Sequence, residues 1–303
     1  MRVPGLARVA VAGLAIIAVA VSAAGVGYAA VVTGSARSLL DTVFSGGTIV
    51  PPIDGRYNIL LLGGDAGPDR LGLRPDSISV VSIEAATGAA TIIGIPRNLE
   101  QATFVEGSPL YGPFPNGYDC GDDCLVSYLY TYGQEHPDLY PKAEDAGSSP
   151  GIEAMRDAVQ GVLGMQIQYY VLIDMQGFSD LIDALGGIDI DVTERVVLGK
   201  NGDDPIGAIE TGEQHMDGAT ALWFARSRYN TTDYARMARQ RQVQEAILAQ
   251  FEPANVLTKF QAVADAGAQV VKTDIPQGML APFVTLAAKT RELPVTKVEL
   301  TPE

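Results

Sequence analysis

Residues 57–62 read YNILLL, a run that is apolar at almost every position. A strand lying on a surface alternates apolar and polar side chains, whereas a strand apolar throughout has both faces covered. Its cover has to come from elsewhere in the chain, and the pattern downstream supplies it. Strands are expected at 77–83 and 91–95, joined by the turn Ala86-Thr87-Gly88, then at 169–173, 188–192 and 297–300. Between them, Ile152, Met155, Val159, Val162 and Leu163 recur at helical spacing, as do Phe178, Leu181, Ile182 and Leu185 before the stop at Gly186-Gly187. Further helices are expected at 256–271 and 278–289. The fold class is therefore α/β, a central mixed sheet with helices on both faces. Residues 100–150, rich in Gly, Pro, Tyr and acids, read as a long excursion over the surface.

The N-terminus sets the compartment. Residues 9–32 carry no charge over 24 positions, a helix of roughly 36 Å at about 1.5 Å per residue, enough to cross a bilayer core. Arg2 and Arg8 precede it, so the positive-inside rule leaves the short N-terminus in the cytoplasm and everything after Thr33 outside. The rival reading is a cleaved signal peptide, whose apolar core is normally only about 7–15 residues long. The domain plan is then a cytoplasmic N-terminus with a membrane anchor (1–33), a Gly- and Pro-punctuated linker (34–55) and an extracytoplasmic domain (56–303). An oxidising compartment suits Cys120 and Cys124, which we read as a short structural disulfide. With only His136 and His215 beside them, no zinc quartet is apparent.

The net charge of −15 argues against nucleic-acid binding, which needs a basic surface to displace counterions from phosphates. One stretch reverses the sign. Arg226, Arg228, Arg236, Arg239 and Arg241 face a single acid, Asp233, so residues 226–241 are +4. Read as extended, Arg226 and Arg228 point to one side. Asp233 is expected to cap a following helix, on which Arg236 and Gln240 share a stripe with Val243, Ile247 and Phe251. Arginines on a core-facing stripe need carboxylate or phosphate partners, and their forks suit phosphate oxygens.

Two further motifs converge on the same chemistry. Residues 57–62 run into Gly63-Gly64-Asp65, the carboxyl end of a sheet strand, where α/β sites usually form. Asp76 opens the next strand, and Asp65 with Asp76 makes a seat for Mg²⁺, or Mn²⁺, against phosphate oxygens. Arg74 lies two residues from Asp76 and shares its side of the chain. In Gly94-Ile95-Pro96-Arg97 a proline stops a strand just before an arginine. Asp69 serves a turn.

Together these residues resemble the LytR-CpsA-Psr family of Gram-positive and actinobacterial envelopes. The resemblance is carried by RPDS (74–77), IPRN (95–98), YYVLIDMQGFSDLIDALGGIDIDV (169–192), HMDGATALWFARSR (215–228) and DYARMARQR (233–241). It implies a phosphotransferase that moves a glycopolymer from a polyprenyl-pyrophosphate carrier onto peptidoglycan. It also implies Mg²⁺ between Asp65 and Asp76, and a pyrophosphate held by Arg74, Arg97, Arg226, Arg228 and Arg236 with Gln240; Arg239 is added here as a supporting contact. Asp76, Arg74, Arg97 and Arg228 would act on the reacting phosphates, and an apolar tunnel would take the isoprenoid. Partners are thus the lipid-linked glycan, the peptidoglycan acceptor and the membrane. Asn98 stands where the family usually has aspartate, and Arg241 where it has a second glutamine. Pro75 stiffens the link from Arg74 to Asp76. An alanine- and glycine-rich composition with a cysteine pair leans toward an actinobacterial source and arabinogalactan as the polymer. The alternatives are a polyprenyl-pyrophosphate hydrolase and a lipid-phosphate-binding protein without turnover.

Overall fold

The computed structural model describes residues 47–65, 74–121, 124–199, 204–249, 271–291 and 293–300. The apolar run at 9–32, most of the expected linker and residues 256–270 of the helix expected at 256–271 lie outside the described residues, and Val271 opens a strand instead. Among those described, no helix is long and apolar enough to cross a membrane.

Six strands form the central sheet, in the order β10-β3-β2-β1-β4-β9. They are β1 (Arg56–Asp65), β2 (Arg74–Glu84), β3 (Ala90–Ile95), β4 (Tyr169–Asp174), β9 (Val271–Thr273) and β10 (Thr296–Glu299). β1 pairs antiparallel with β2 and parallel with β4, and β3 pairs antiparallel with β2 and parallel with β10, so the sheet is mixed. The apolar character of β1 has the expected cause. Ile59 and Leu61 face one core while Leu60 and Leu62 face a second, and all four are buried. Successive strand residues point to opposite faces, so a strand between two cores is apolar at every step.

On the first face lie α3 (Met175–Leu185), α4 (Gly218–Arg226), α5 (Asp233–Ala249) and α6 (Leu280–Arg291). They contribute Leu181, Ile182, Phe224, Ile247 and Phe283 to the core. Gly186 (φ 84°) and Gly187 (φ 89°) end α3 in the left-handed region, as the sequence leads one to expect. Two antiparallel ribbons pack beside these helices: β5 (Ile188–Val192) with β8 (Gly212–Met216), and β6 (Val196–Leu198) with β7 (Gly207–Ile209).

The second face corrects the reading of residues 100–150. Ala102, Phe104, Leu110, Val126 and Leu129 are buried in one cluster with Ile152, Met155 and Val159 of α2 (Pro150–Leu163). The stretch is a packed layer containing α1 (Leu129–Glu135), not a surface excursion. Its glycines permit the close approach. A Cβ on Gly133 would stand 2.4 Å from the Pro150 carbonyl oxygen, and one on Gly161 would stand 1.9 Å from that of Thr103. The start of the domain is tied down as well, because the Val50 N–H donates to the Tyr169 hydroxyl (2.8 Å).

Candidate active site

The site begins with an irregularity in the β1–β2 ladder. Gly63 pairs with Ser77 but Gly64 pairs with Pro75, so Asp76 is the extra residue of a bulge. A bulged residue drops out of the ladder and its side chain is re-aimed. Pro75, which has no N–H to donate, is tolerated at such a position. Both halves of Asp76 are used by arginines from elsewhere. Its carboxylate pairs with Arg97, which follows β3, and its carbonyl accepts from Arg236 Nη1 (2.8 Å).

Arg236 is 2 % exposed, and its burial is satisfied by a carboxylate one turn earlier on α5. Its Nε and Nη2 donate to Asp233 at 3.3 and 3.0 Å. Asp233 also lies 3.2 Å from Arg228 and 3.9 Å from Arg97. The expected helix cap is therefore displaced: Thr232 Oγ1 accepts from the Ala235 N–H (3.1 Å), and Asp233 is released to hold three arginines. The pattern D-x-x-R at i, i+3 on a helix was the available signal for this pairing.

Around these groups lies a cavity of about 480 Å³ between the sheet and the α3–α5 layer. Among the described residues its polar end is lined by Arg74, Arg97, Arg226, Arg228 and Arg236, opposed by Asp76 and Asp174. Its remainder is largely apolar, walled by Leu61, Val171 and Ile173 of the sheet, Phe178 of α3 and Val243 and Ile247 of α5, with Gln240 and Gln244 of α5 as polar exceptions. Positive charge is in excess. Burial lowers the pKa of Arg228, and the neighbouring charges of Arg97 and Arg236 lower it further. Its Nη2 is buried 3.2 Å from Asp233, an ion pair without hydrogen-bond geometry, so this contact leaves the guanidinium only partly satisfied. An anion with several oxygens fits that end.

The remaining predicted residues divide. Gln240 lines this cavity and a pocket of about 20 Å³ beside it, and Arg241 lines the small pocket. Arg226 is the last residue of α4 rather than part of an extended segment, because the chain stays helical until Ser227. Its guanidinium lies 5.0 Å from the Trp223 ring centroid. Arg239 is buried away from the cavity, where its Nε donates to the Phe224 carbonyl (2.8 Å) and its Nη2 to that of Ser227. It closes the C-terminus of α4 and leaves no fork for a phosphate. Asp65 ends β1, its backbone in register with Arg74. No cluster of three or more His, Cys, Asp or Glu side chains occurs among the described residues. Asp76 alone still suits Mg²⁺, which accepts a single carboxylate when phosphates supply other oxygens. Cys120 and Cys124 have sulfurs within disulfide distance, with Cα atoms 5.2 Å apart.

The clamp carries a pH signature. Burial alone would raise the Asp233 pKa, but the Arg236 hydrogen bonds and the charges of Arg236, Arg228 and Arg97 bring it below its ordinary 3.8. A lowered folded-state value means stabilisation that is present above 3.8 and lost as pH falls through the folded value. Urea midpoints measured from pH 6 downward should fall through this window. In Asp233→Asn that component should be missing, leaving a flatter profile.

The model of the LytR_cpsA_psr family matches residues 46–302. A curated relative from Halalkalibacterium halodurans, the polyisoprenyl-teichoic acid–peptidoglycan teichoic acid transferase TagU, is 28 % identical over 222 residues. That alignment covers 72 % of this chain and 61 % of the relative, so the chain spans about six-tenths of the length of the curated relatives it matches. Two solved structures share the fold. A Streptococcus agalactiae protein superposes with a TM-score of 0.60 at 23 % identity, covering 82 % of this chain and 78 % of its own. TagV of B. subtilis superposes with a TM-score of 0.56 at 22 % identity, covering 82 % and 85 %.

Proposed function

The chain belongs to the LytR_cpsA_psr family, and from that premise we propose that it is a phosphotransferase moving a glycopolymer from a polyprenyl-pyrophosphate carrier onto peptidoglycan. The observation that carries this reading is the two-part cavity. An arginine-rich end opens onto a largely apolar depth, which suits a pyrophosphate joined to a long hydrocarbon. The names of the curated relatives support the same polymer chemistry, teichoic acid in their case.

In this mechanism Arg74, Arg97, Arg226, Arg228 and Arg236 hold the pyrophosphate oxygens and Gln240 adds a neutral contact. An acceptor hydroxyl attacks the glycan-proximal phosphorus, a new P–O bond forms, and the bond to the bridging oxygen breaks. Polyprenyl phosphate leaves, and the arginines neutralise the charge that develops on it. Through a loose transition state the hydroxyl keeps its proton until late, so no strong base is required. The proton leaves with the polyprenyl phosphate, whose newly freed oxygen accepts it. Mg²⁺, held by Asp65 and Asp76, would supply further charge neutralisation at the phosphates. Residues 9–32 would anchor the domain outside the cytoplasm, within reach of a lipid-borne donor.

The test supplies the full chain with Mg²⁺, a peptidoglycan oligomer and lipid-pyrophosphate-linked glycan, teichoic acid in one arm and arabinogalactan in another. Mass spectrometry should find polymer joined to the oligomer in one arm. Free glycan phosphate without joined product would indicate a hydrolase, and tight binding with neither product a carrier protein.

A further inference from the structure

The five cavity arginines are oriented in two different ways. Arg97, Arg228 and Arg236 are held by carboxylates, so part of their charge is already spent on Asp76 and Asp233, as are N–H donors of Arg97 and Arg236. Among the carboxylates whose side chains are described, none pairs with Arg74 or Arg226. Each lies over an aromatic ring instead: the Arg74 guanidinium carbon is 4.5 Å from the Tyr128 centroid, and that of Arg226 is 5.0 Å from the Trp223 centroid. A guanidinium resting on a ring face keeps its full charge, and its five N–H groups stay in its own plane, available to phosphate oxygens.

Tyr128 is placed to be a fixed platform. Arg74 is exposed at the start of β2, where a long side chain has many rotamers to lose. Tyr128 is half-buried and follows a segment bonded to the Arg97 region: the Val126 N–H donates to the Leu99 carbonyl (2.8 Å) and the Ser127 N–H to that of Arg97 (3.1 Å). One short segment therefore fixes the backbone of Arg97 and the side chain of Arg74. We propose that Tyr128 is a positioning residue, whose ring face presents Arg74 to the pyrophosphate of the donor. This rests on the pyrophosphate reading above. Trp223 has the same relation to Arg226, but it also lines the cavity, so its replacement would change direct contacts as well.

The experiment measures binding of farnesyl pyrophosphate to the full chain in detergent by calorimetry, with urea unfolding run on each variant. Losing an exposed cation–ring contact should weaken binding roughly two- to fivefold in Tyr128→Leu. Tyr128→Phe keeps the ring and should recover wild-type affinity. Arg74→Ala should weaken binding at least as much as Tyr128→Leu, and the double variant should bind no worse than Arg74→Ala alone. Unchanged binding in Tyr128→Leu, an effect that adds in full to Arg74→Ala, or a Phe variant as weak as Leu would each overturn the proposal. A wild-type chain that does not bind the probe would instead overturn the pyrophosphate reading, and this inference with it.

Discussion

Asp76→Ala is expected to lower the transfer rate by a factor of about 10²–10³ while leaving the fold almost as stable as before. The two effects separate because of where Asp76 sits. Its side chain is 28 % exposed and its ion pair with Arg97 faces the cavity, so the pair contributes little to folding. Its backbone carbonyl, which Arg236 uses, survives the substitution. What disappears is the carboxylate that orients Arg97 and would hold Mg²⁺ against the phosphates. Single-turnover transfer and urea unfolding on the same preparation check both halves. A variant that transferred at the wild-type rate would remove Asp76 from the chemistry.

Arg236→Met is expected to fail in both respects. The guanidinium is almost fully buried and bonds Asp233 at two points and the Asp76 carbonyl at a third. Removing one partner of a buried pair typically costs about 3–5 kcal/mol. Asp233 keeps some access to solvent and retains Arg228, so about 2–3 kcal/mol is the expected loss here, a fall in Tm of about 5–10 °C. Activity falls further than stability, since the bulge at Asp76 loses its anchor. Methionine fills much of the volume, which keeps the cavity cost small. Thermal unfolding together with transfer assays well below the variant's Tm distinguishes a lost site from a lost fold. Unchanged stability would mean that the clamp does not bear on the fold.

The parts of this architecture that repeat were legible in the sequence. YNILLL, the helix ending at Gly186-Gly187 and the strand at 188–192 carry their burial in their periodicity. Arginine spacing likewise marked Arg236 as core-facing, and it is buried. The misses share a cause, since each depends on a partner distant in the chain or on a break in periodicity. A bulge inserts one residue into a ladder, so nothing local marks Asp76 as the residue pushed out of it. Thr232 and Asp233 are both good caps, and the choice between them is made by Arg228 and Arg97. Arg239 differs from Arg236 by three positions on one helix, yet it turns to the carbonyls of α4. Residues 100–150 pack through tyrosines, glycines and short turns that follow no single period. The strand Val271–Thr273 was missed because three residues carry no pattern.

In the proposed reaction phosphorus moves with the glycan. The most direct measurement places ³²P at the glycan-proximal phosphate of the lipid-linked donor and follows it through one turnover with full-length protein and peptidoglycan acceptor. Phosphotransfer predicts that the label appears in peptidoglycan, joined to the polymer, while polyprenyl phosphate is released unlabelled. Label left on the lipid, or polymer attached to peptidoglycan without it, would rule out phosphotransfer.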